Sequence, residues 1–165
     1  MNITLKTADY NDPSDAQDFI TLLDEYARDP MGGGEGLGDE VKADLAQALA
    51  QRNDALTVLC YVDGKPAGLI NCIEGFSTFK CKPLLNIHDV VVSKPFRGLG
   101  LSQTMLVEVE KIARQRNCCK LTLEVLEGNE TARNAYIKFG FSGYELDPQM
   151  GKALFWEKAL KPQDN

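Results

Sequence analysis

The chain has 165 residues, 44% of them hydrophobic and 25% charged, the balance of an ordinary globular domain with enough apolar material for a core. Its net charge of −6 argues against non-specific nucleic-acid binding, which needs many Lys and Arg on phosphates. No stretch approaches the roughly 20 apolar residues that span a membrane.

The charge is unevenly spread. Residues 1–54 carry 12 acids and 4 bases, net −8, and residues 55–165 carry 12 acids and 14 bases, net +2. The single histidine, His88, excludes any two-histidine mechanism. The five cysteines, Cys60, Cys72, Cys81, Cys118 and Cys119, contain no C-x-x-C pair, and with one histidine they form no usual zinc pattern, so no metal is expected. An odd cysteine count predicts reduced thiols. Met1–Lys6 lacks an apolar stretch of signal-peptide length, and the expected location is cytoplasmic.

In chain order, residues 3–8 alternate and predict a strand. Asp12-Pro13-Ser14 opens a helix through about Arg28, with Phe19, Leu22, Leu23 and Tyr26 as its apolar stripe, and Pro30 ends it. Met31–Gly38 reads as a glycine-rich loop. Asp39 is expected to cap a helix to about Arg52. Leu56–Val62, the turn Asp63-Gly64 and Ala67–Gly75 predict a hairpin. Leu84–Val92 predicts a longer strand whose three valines suggest burial on both faces. An amphipathic helix follows to about Asn117, with Met105, Leu106, Val109 and Ile112 at helical spacing. Lys120–Leu126 predicts a strand, and Asn129–Phe139 a helix stopped by Gly140. Phe141–Leu146 and Ala153–Ala159 predict two closing strands. The whole is a mixed α+β pattern around a central sheet.

Between the long strand and the amphipathic helix lies Arg97-Gly98-Leu99-Gly100-Leu101-Ser102. A glycine turn at a helix start suits phosphate, because free N–H groups and the positive end of the dipole face the anion and no side chain intervenes. Arg97 and Lys94 add local positive charge. No G-x-x-x-x-G-K-[ST] string occurs, and Gly98-Leu-Gly100-Leu-Ser-Gln103 lacks the third glycine of a dinucleotide fingerprint.

Val92–Ser102 resembles the acetyl-CoA motif of the GNAT superfamily of N-acetyltransferases, Arg/Gln-x-x-Gly-x-Gly/Ala after a valine-rich strand. Arg97, Gly100 and Ser102 stand at the matching positions, with Ser102 in place of Gly or Ala. Leu123–Phe141 is similar to the family's second motif, Asn…Ala…Tyr-x-x-x-Gly-Phe, through Asn129, Ala132, Tyr136, Gly140 and Phe141. The resemblance covers about residues 56–160. It implies a GNAT-type acyl-CoA N-acyltransferase fold of class α+β, a mixed central sheet flanked by helices with splayed central strands. It implies a single domain over 1–165, in which 1–54 supplies N-terminal helices on the acceptor side and 55–160 the acetyl-CoA-binding core. Acetyl-CoA is the implied co-substrate and a small-molecule amine the implied partner, without nucleic acid or membrane. Dimers are common in the family, so a homodimer is the assembly it suggests.

The resemblance also implies roles. Main-chain groups of Val90, Val91 and Val92 would bond the pantetheine arm and hold the thioester carbonyl, with a backbone N–H as oxyanion donor. Arg97, Gly98, Leu99, Gly100, Leu101 and Ser102 would hold the pyrophosphate. Asn129 would bond the pantetheine from the opposite strand, with Ala132 and Arg133 beside it. Tyr136 matches the tyrosine that protonates the departing thiolate, a reasonable pairing of a phenol with a developing sulfur charge. His88 stands where several members carry a Glu or His that activates the amine, and histidine is the side chain that ordinarily titrates near neutrality. Four residues before Val92, it shares a face with Val92 on an uninterrupted strand. Asp89 matches an acidic position that contacts an amine. Tyr26, Phe76 and Phe79 are candidates for the acceptor pocket, and the Gly32–Gly38 loop is a lid or a plain connector. The acidic first 54 residues would draw a cationic amine. The expected reaction is acetyl transfer to the primary amine of a small cationic molecule by direct attack on the thioester. The alternatives are a peptide or protein N-acetyltransferase and a non-catalytic acyl-CoA-binding regulatory module.

Overall fold

The computed structural model, which describes residues 1–162, is built on five strands: β1 (Ile3–Thr7), β2 (Ala55–Val62), β3 (Lys65–Ser77), β4 (Lys82–Val92) and β5 (Leu121–Leu123). They lie side by side in chain order. The first four pair antiparallel and β5 joins β4 parallel, so the sheet is mixed. The β4–β5 ladder covers only Leu85–Ile87 against Leu121–Leu123. Beyond Ile87, β4 runs on to Val92 paired only with β3, and β4 and β5 part as expected for the splayed centre.

Alternation along the strands divides the core into two layers. On one face Leu56, Val58, Cys60 and Val62 of β2 and Leu85 and Ile87 of β4 pack against α3 (Leu101–Gln115). That helix presents Leu101, Met105, Leu106, Val109 and Ala113, a stripe at helical spacing, all buried. On the other face Leu59, Leu69 and Val91 pack against Phe19 and Leu22 of α1 (Pro13–Arg28). Leu45 and Leu49 of α2 (Asp39–Ala50) border the same layer. A short helix, α4 (Glu130–Phe139), follows β5 and turns off at Gly140 in the left-handed conformation.

Local chemistry sets the helix ends. The Asp12 carboxylate accepts from Ser14 N–H, Pro13 occupies the first turn, and Pro30 follows the last turn of α1. The start of α2 differs from the expected cap. Gly38 is the capping residue and makes no side-chain bond; Asp39 and Glu40 sit inside the first turn, where their charge complements the dipole instead.

The two closing strands do not form. From Ser142 to Pro162 every residue is exposed, and the two segments share one backbone bond, from Ala153 N–H to Tyr144 C=O at 2.9 Å. A three-residue β5 gives them almost no edge to pair with, and a hairpin without a sheet beneath it is marginal. Leu146, Leu154, Phe155 and Trp156 therefore remain in solvent.

Asp15 ties α1 to the sheet. It is buried, and its carboxylate accepts from Lys6 Nζ at 2.7 Å and from Asp9 N–H at 2.9 Å. Burial alone would raise this carboxyl; the Lys6 ammonium and the Asp9 N–H more than reverse that and hold it below the ordinary carboxylate range. A lowered value makes the carboxylate's stabilisation complete above about pH 4 and lost as pH falls through the folded value. Asp15→Asn should therefore lower Tm at pH 7 and flatten its fall on acidification, read from melting curves between pH 7 and 3.

Candidate active site

β4 carries a bulge where the site begins. Asn71 pairs with Asp89 and Cys72 with Ile87, so His88 has no partner on β3. An extra residue reverses the side-chain alternation beyond it. Ile87, Val90 and Val92 pack on the α3 layer, Val91 packs on the α1 layer, and His88 and Asp89 both open towards α1 and α2. The expectation that His88 shares a face with Val92 is thus corrected: the bulge places it on the opposite face, exposed, beside Asp89.

His88 and Asp89 line a cavity of about 180 Å³ between the sheet and the first two helices. A chain of hydrogen bonds runs through its wall. Tyr10 Oη and Thr57 Oγ1 are 2.8 Å apart, Thr57 Oγ1 donates to Asn71 Oδ1 at 2.6 Å, and Asn71 Nδ2 donates to Asp89 Oδ2 at 3.0 Å. Thr57 has one proton and gives it to Asn71, so Tyr10 is the donor to Thr57. Every donor points towards the Asp89 carboxylate. Thr57, the central link, is 1% exposed and so shielded from water, where such bonds reinforce one another. Tyr10, Thr57 and Asn71 were missed in the sequence. The available signal was a polar residue inside each of two apolar runs, Leu56-Thr57-Val58 and Ile70-Asn71-Cys72.

Tyr136 lies on α4, half-buried against the α3 layer and edge-on to Phe141. Burial first, then the neighbouring Tyr26 and Asp89, push its phenol up to about 12. Burial and Asp89 also raise Tyr26. The two phenols and the Asp89 carboxylate therefore share one neighbourhood, reached from α4, α1 and β4. Phe76 and Phe79 are not part of it. They stand exposed where β3 and β4 run past the sheet as a hairpin, with Phe76 paired to Pro83, and neither lines the cavity. The structure does not bring them to the Asp89 cavity, whose lining also excludes Tyr26.

The glycine turn has the shape a phosphate needs. Gly98 and Gly100 both have positive φ, +81° and +74°, and a Cβ built on either meets nothing within 4 Å. Side chains there would fill that space and strain the backbone. Gly100 caps α3 without any side-chain bond, so the N–H groups of the first turn, at Leu101, Ser102 and Gln103, are left for a ligand. Arg97 is held at this turn by Val92 C=O and Asp29, each at 3.3 Å. Glu25 of α1 accepts from Ser93 Oγ at 2.8 Å and Lys94 N–H at 2.9 Å, fixing the end of β4 to the helix that borders the cavity. Leu99 is exposed on the turn. Asn129 caps α4 by accepting from Ala132 N–H at 3.2 Å, and Arg133 reaches back to Glu127 C=O at 3.0 Å. The loop 33–38 is tied to α1 where Leu37 N–H meets Asp24 at 2.8 Å. A larger cavity, about 310 Å³, lies between α3, β5 and the end of α4, and it contains none of these residues.

The splayed mixed sheet with a glycine turn at a helix start is a fold shared with solved acetyltransferases. The chain superposes on a solved aminoglycoside N-acetyltransferase in complex with CoA with a TM-score of 0.72, at 14% identity over 95% of each chain; at that identity the likeness is one of fold. Residues 19–141 match the model of the acetyltransferase (GNAT) family, and the chain belongs to that family. Among relatives, it is 27% identical to an uncharacterised N-acetyltransferase of Methanocaldococcus jannaschii, over 59% of this chain and 44% of that protein. It is 33% identical to a glucosamine 6-phosphate N-acetyltransferase of Trypanosoma brucei brucei, over 36% and 39%. The chain thus spans under half the length of these relatives. Among the described residues no helix is long and apolar enough to cross a membrane.

Proposed function

We propose that this chain transfers an acetyl group from acetyl-CoA to the primary amine of a small molecule, positively charged when free. The observation that carries this reading is the pairing of an open glycine cradle at α3 with a carboxylate-bearing cavity on the other side of β4. Residues 1–54 supply the helices of the acceptor side and 55–160 the cofactor side of one domain. Arg97 and the turn to Ser102 would hold the pyrophosphate, and the Val90–Val92 main chain, Asn129, Ala132 and Arg133 the pantetheine arm. Bound acetyl-CoA supplies a thioester, whose carbonyl carbon takes the amine and whose sulfur departs as a thiolate.

The chain's own residues handle charge and protons. Asp89 holds the incoming ammonium with Tyr26 beside it. An alkylammonium costs roughly 4–5 kcal/mol to deprotonate at pH 7, and His88, exposed next to Asp89, takes that proton and returns it to solvent. A backbone N–H at Val90–Val92 faces the oxyanion. Tyr136, with its phenol near 12, keeps its proton at neutral pH and donates it as a hydrogen bond to the sulfur. Tyr136 lowers the barrier by stabilising sulfur charge, and the proton that ends on CoA comes from the amine nitrogen after it has joined the carbonyl carbon.

Acetyl-CoA should raise Tm by mass action on the native state, and CoA should appear only when an amine is added. No shift at millimolar acetyl-CoA sinks the cofactor assignment. Release of CoA to peptides and to no free amine favours a peptide acetyltransferase. An unaltered pH–rate profile in His88→Ala removes His88 as the base.

A further inference from the structure

The acceptor cavity is chemically narrower than a general amine site. Its walls are Phe19 and Leu23 of α1, Leu45 and Leu49 of α2, and Ile73 of β3. Its polar groups are few and mostly engaged. Tyr10 donates to Thr57, Thr57 to Asn71, and Asn71 to one oxygen of Asp89. The other Asp89 oxygen accepts no hydrogen bond among the described residues, and His88 stands at the exposed rim. Asn71 cannot pass a proton along, because its amide joins an accepting oxygen to a donating nitrogen. The chain therefore orients Asp89 rather than draining it, and presents one carboxylate oxygen to one cation.

We propose that the acceptor is a monoamine with a compact apolar body, aliphatic or aromatic, its ammonium on Asp89 and its body between α1, α2 and the sheet. This rests on the acetyltransferase reading above and names the substrate class for the same site. The volume of about 180 Å³ is below the roughly 300 Å³ at which drug-sized pockets begin, so the part of the acceptor seated inside is small. A sugar hydroxyl, a phosphate or a second ammonium placed here meets leucines and already-paired side chains. Each such buried group without a partner costs about 1–3 kcal/mol. Amino sugars and polyamines are disfavoured by chemistry as well as by size. The cationic character expected from the acidic N-terminal segment thus narrows to a single charge.

The test uses the full chain with acetyl-CoA and four probes: 2-phenylethylamine, 3-methylbutylamine, spermidine and glucosamine 6-phosphate. The expected result is a kcat/KM for the two apolar monoamines above that for the other two by roughly 10- to 100-fold. Direct binding of 2-phenylethylamine to the CoA-loaded protein is followed by saturation-transfer NMR. It should be lost in Leu45→Trp, which fills the cavity, and weakened in the isosteric Asp89→Asn, while acetyl-CoA still raises Tm in both. Preference for spermidine or glucosamine 6-phosphate overturns the substrate class and leaves the acetyltransferase reading intact. Binding of 2-phenylethylamine that is absent in the wild type, or unchanged in both variants, also overturns it. Absence of any acetyl-CoA stabilisation is the separate failure, that of the acetyltransferase reading itself.

Discussion

Tyr136→Phe should lower kcat by about 100-fold, the lower end of the range for loss of one hydrogen-bond donor aimed at developing charge, while acetyl-CoA affinity changes little. The ring stays, so its contacts with the α3 layer and its edge-on packing against Phe141 persist. Only the hydroxyl is lost, the group proposed to meet the sulfur as negative charge develops. An interaction made mainly in the transition state appears in kcat rather than in binding. Steady-state CoA release alongside acetyl-CoA titration measures both. An unchanged kcat would mean that the hydroxyl does not face the sulfur; a matching loss of acetyl-CoA affinity would mean that it only positions the cofactor.

Phe19→Ala is expected to be the most damaging single core change near the site. Phe19 is fully buried, joins α1 to Leu59, Leu69 and Val91, and packs edge-on against Tyr10. Truncating a buried phenylalanine costs about 3–5 kcal/mol through lost transfer energy and the cavity left behind. For a domain of this size each kcal/mol shifts Tm by roughly 2–4 °C, so a fall on the order of 10 °C should appear in a melting curve. Phe19 also lines the cavity proposed to take the amine. Purified Phe19→Ala should therefore show a raised KM for the amine below its melting transition. A Tm within 2 °C of the wild type would show that α1 is held by its polar ties, Asp15, Asp18 and Glu25, more than by its apolar face.

Those ties change the meaning of the acidic N-terminal segment. Asp9, Asp12, Asp15, Asp18, Asp24, Glu25, Asp29 and Asp54 each bond a neighbouring donor. Eight of the twelve acids are thus used in caps, turns and ion pairs that build the N-terminal segment and join it to the sheet. The carboxylate that lines the cavity between the sheet and the first two helices is Asp89, in the part of the chain with net positive charge.

Features written in neighbouring residues were legible without coordinates. The Asp12–Pro13 helix start, the buried stripe of α3, the Gly140 stop and the open turn at Gly98 and Gly100 each depend on a few consecutive side chains and the φ angles they allow. The mixed α+β class and the family motifs follow from such local signals in order. Tertiary structure alone decided the rest. The bulge at His88 arises from how β4 pairs with β3, and it reverses which side chains face α1 and α2. The Tyr10–Thr57–Asn71–Asp89 chain joins residues up to 47 positions apart per bond, a proximity that no local propensity encodes. The alternating segments near residues 141–146 and 153–159 remain unpaired because a strand needs an edge to bond to, and that edge is supplied by another part of the chain.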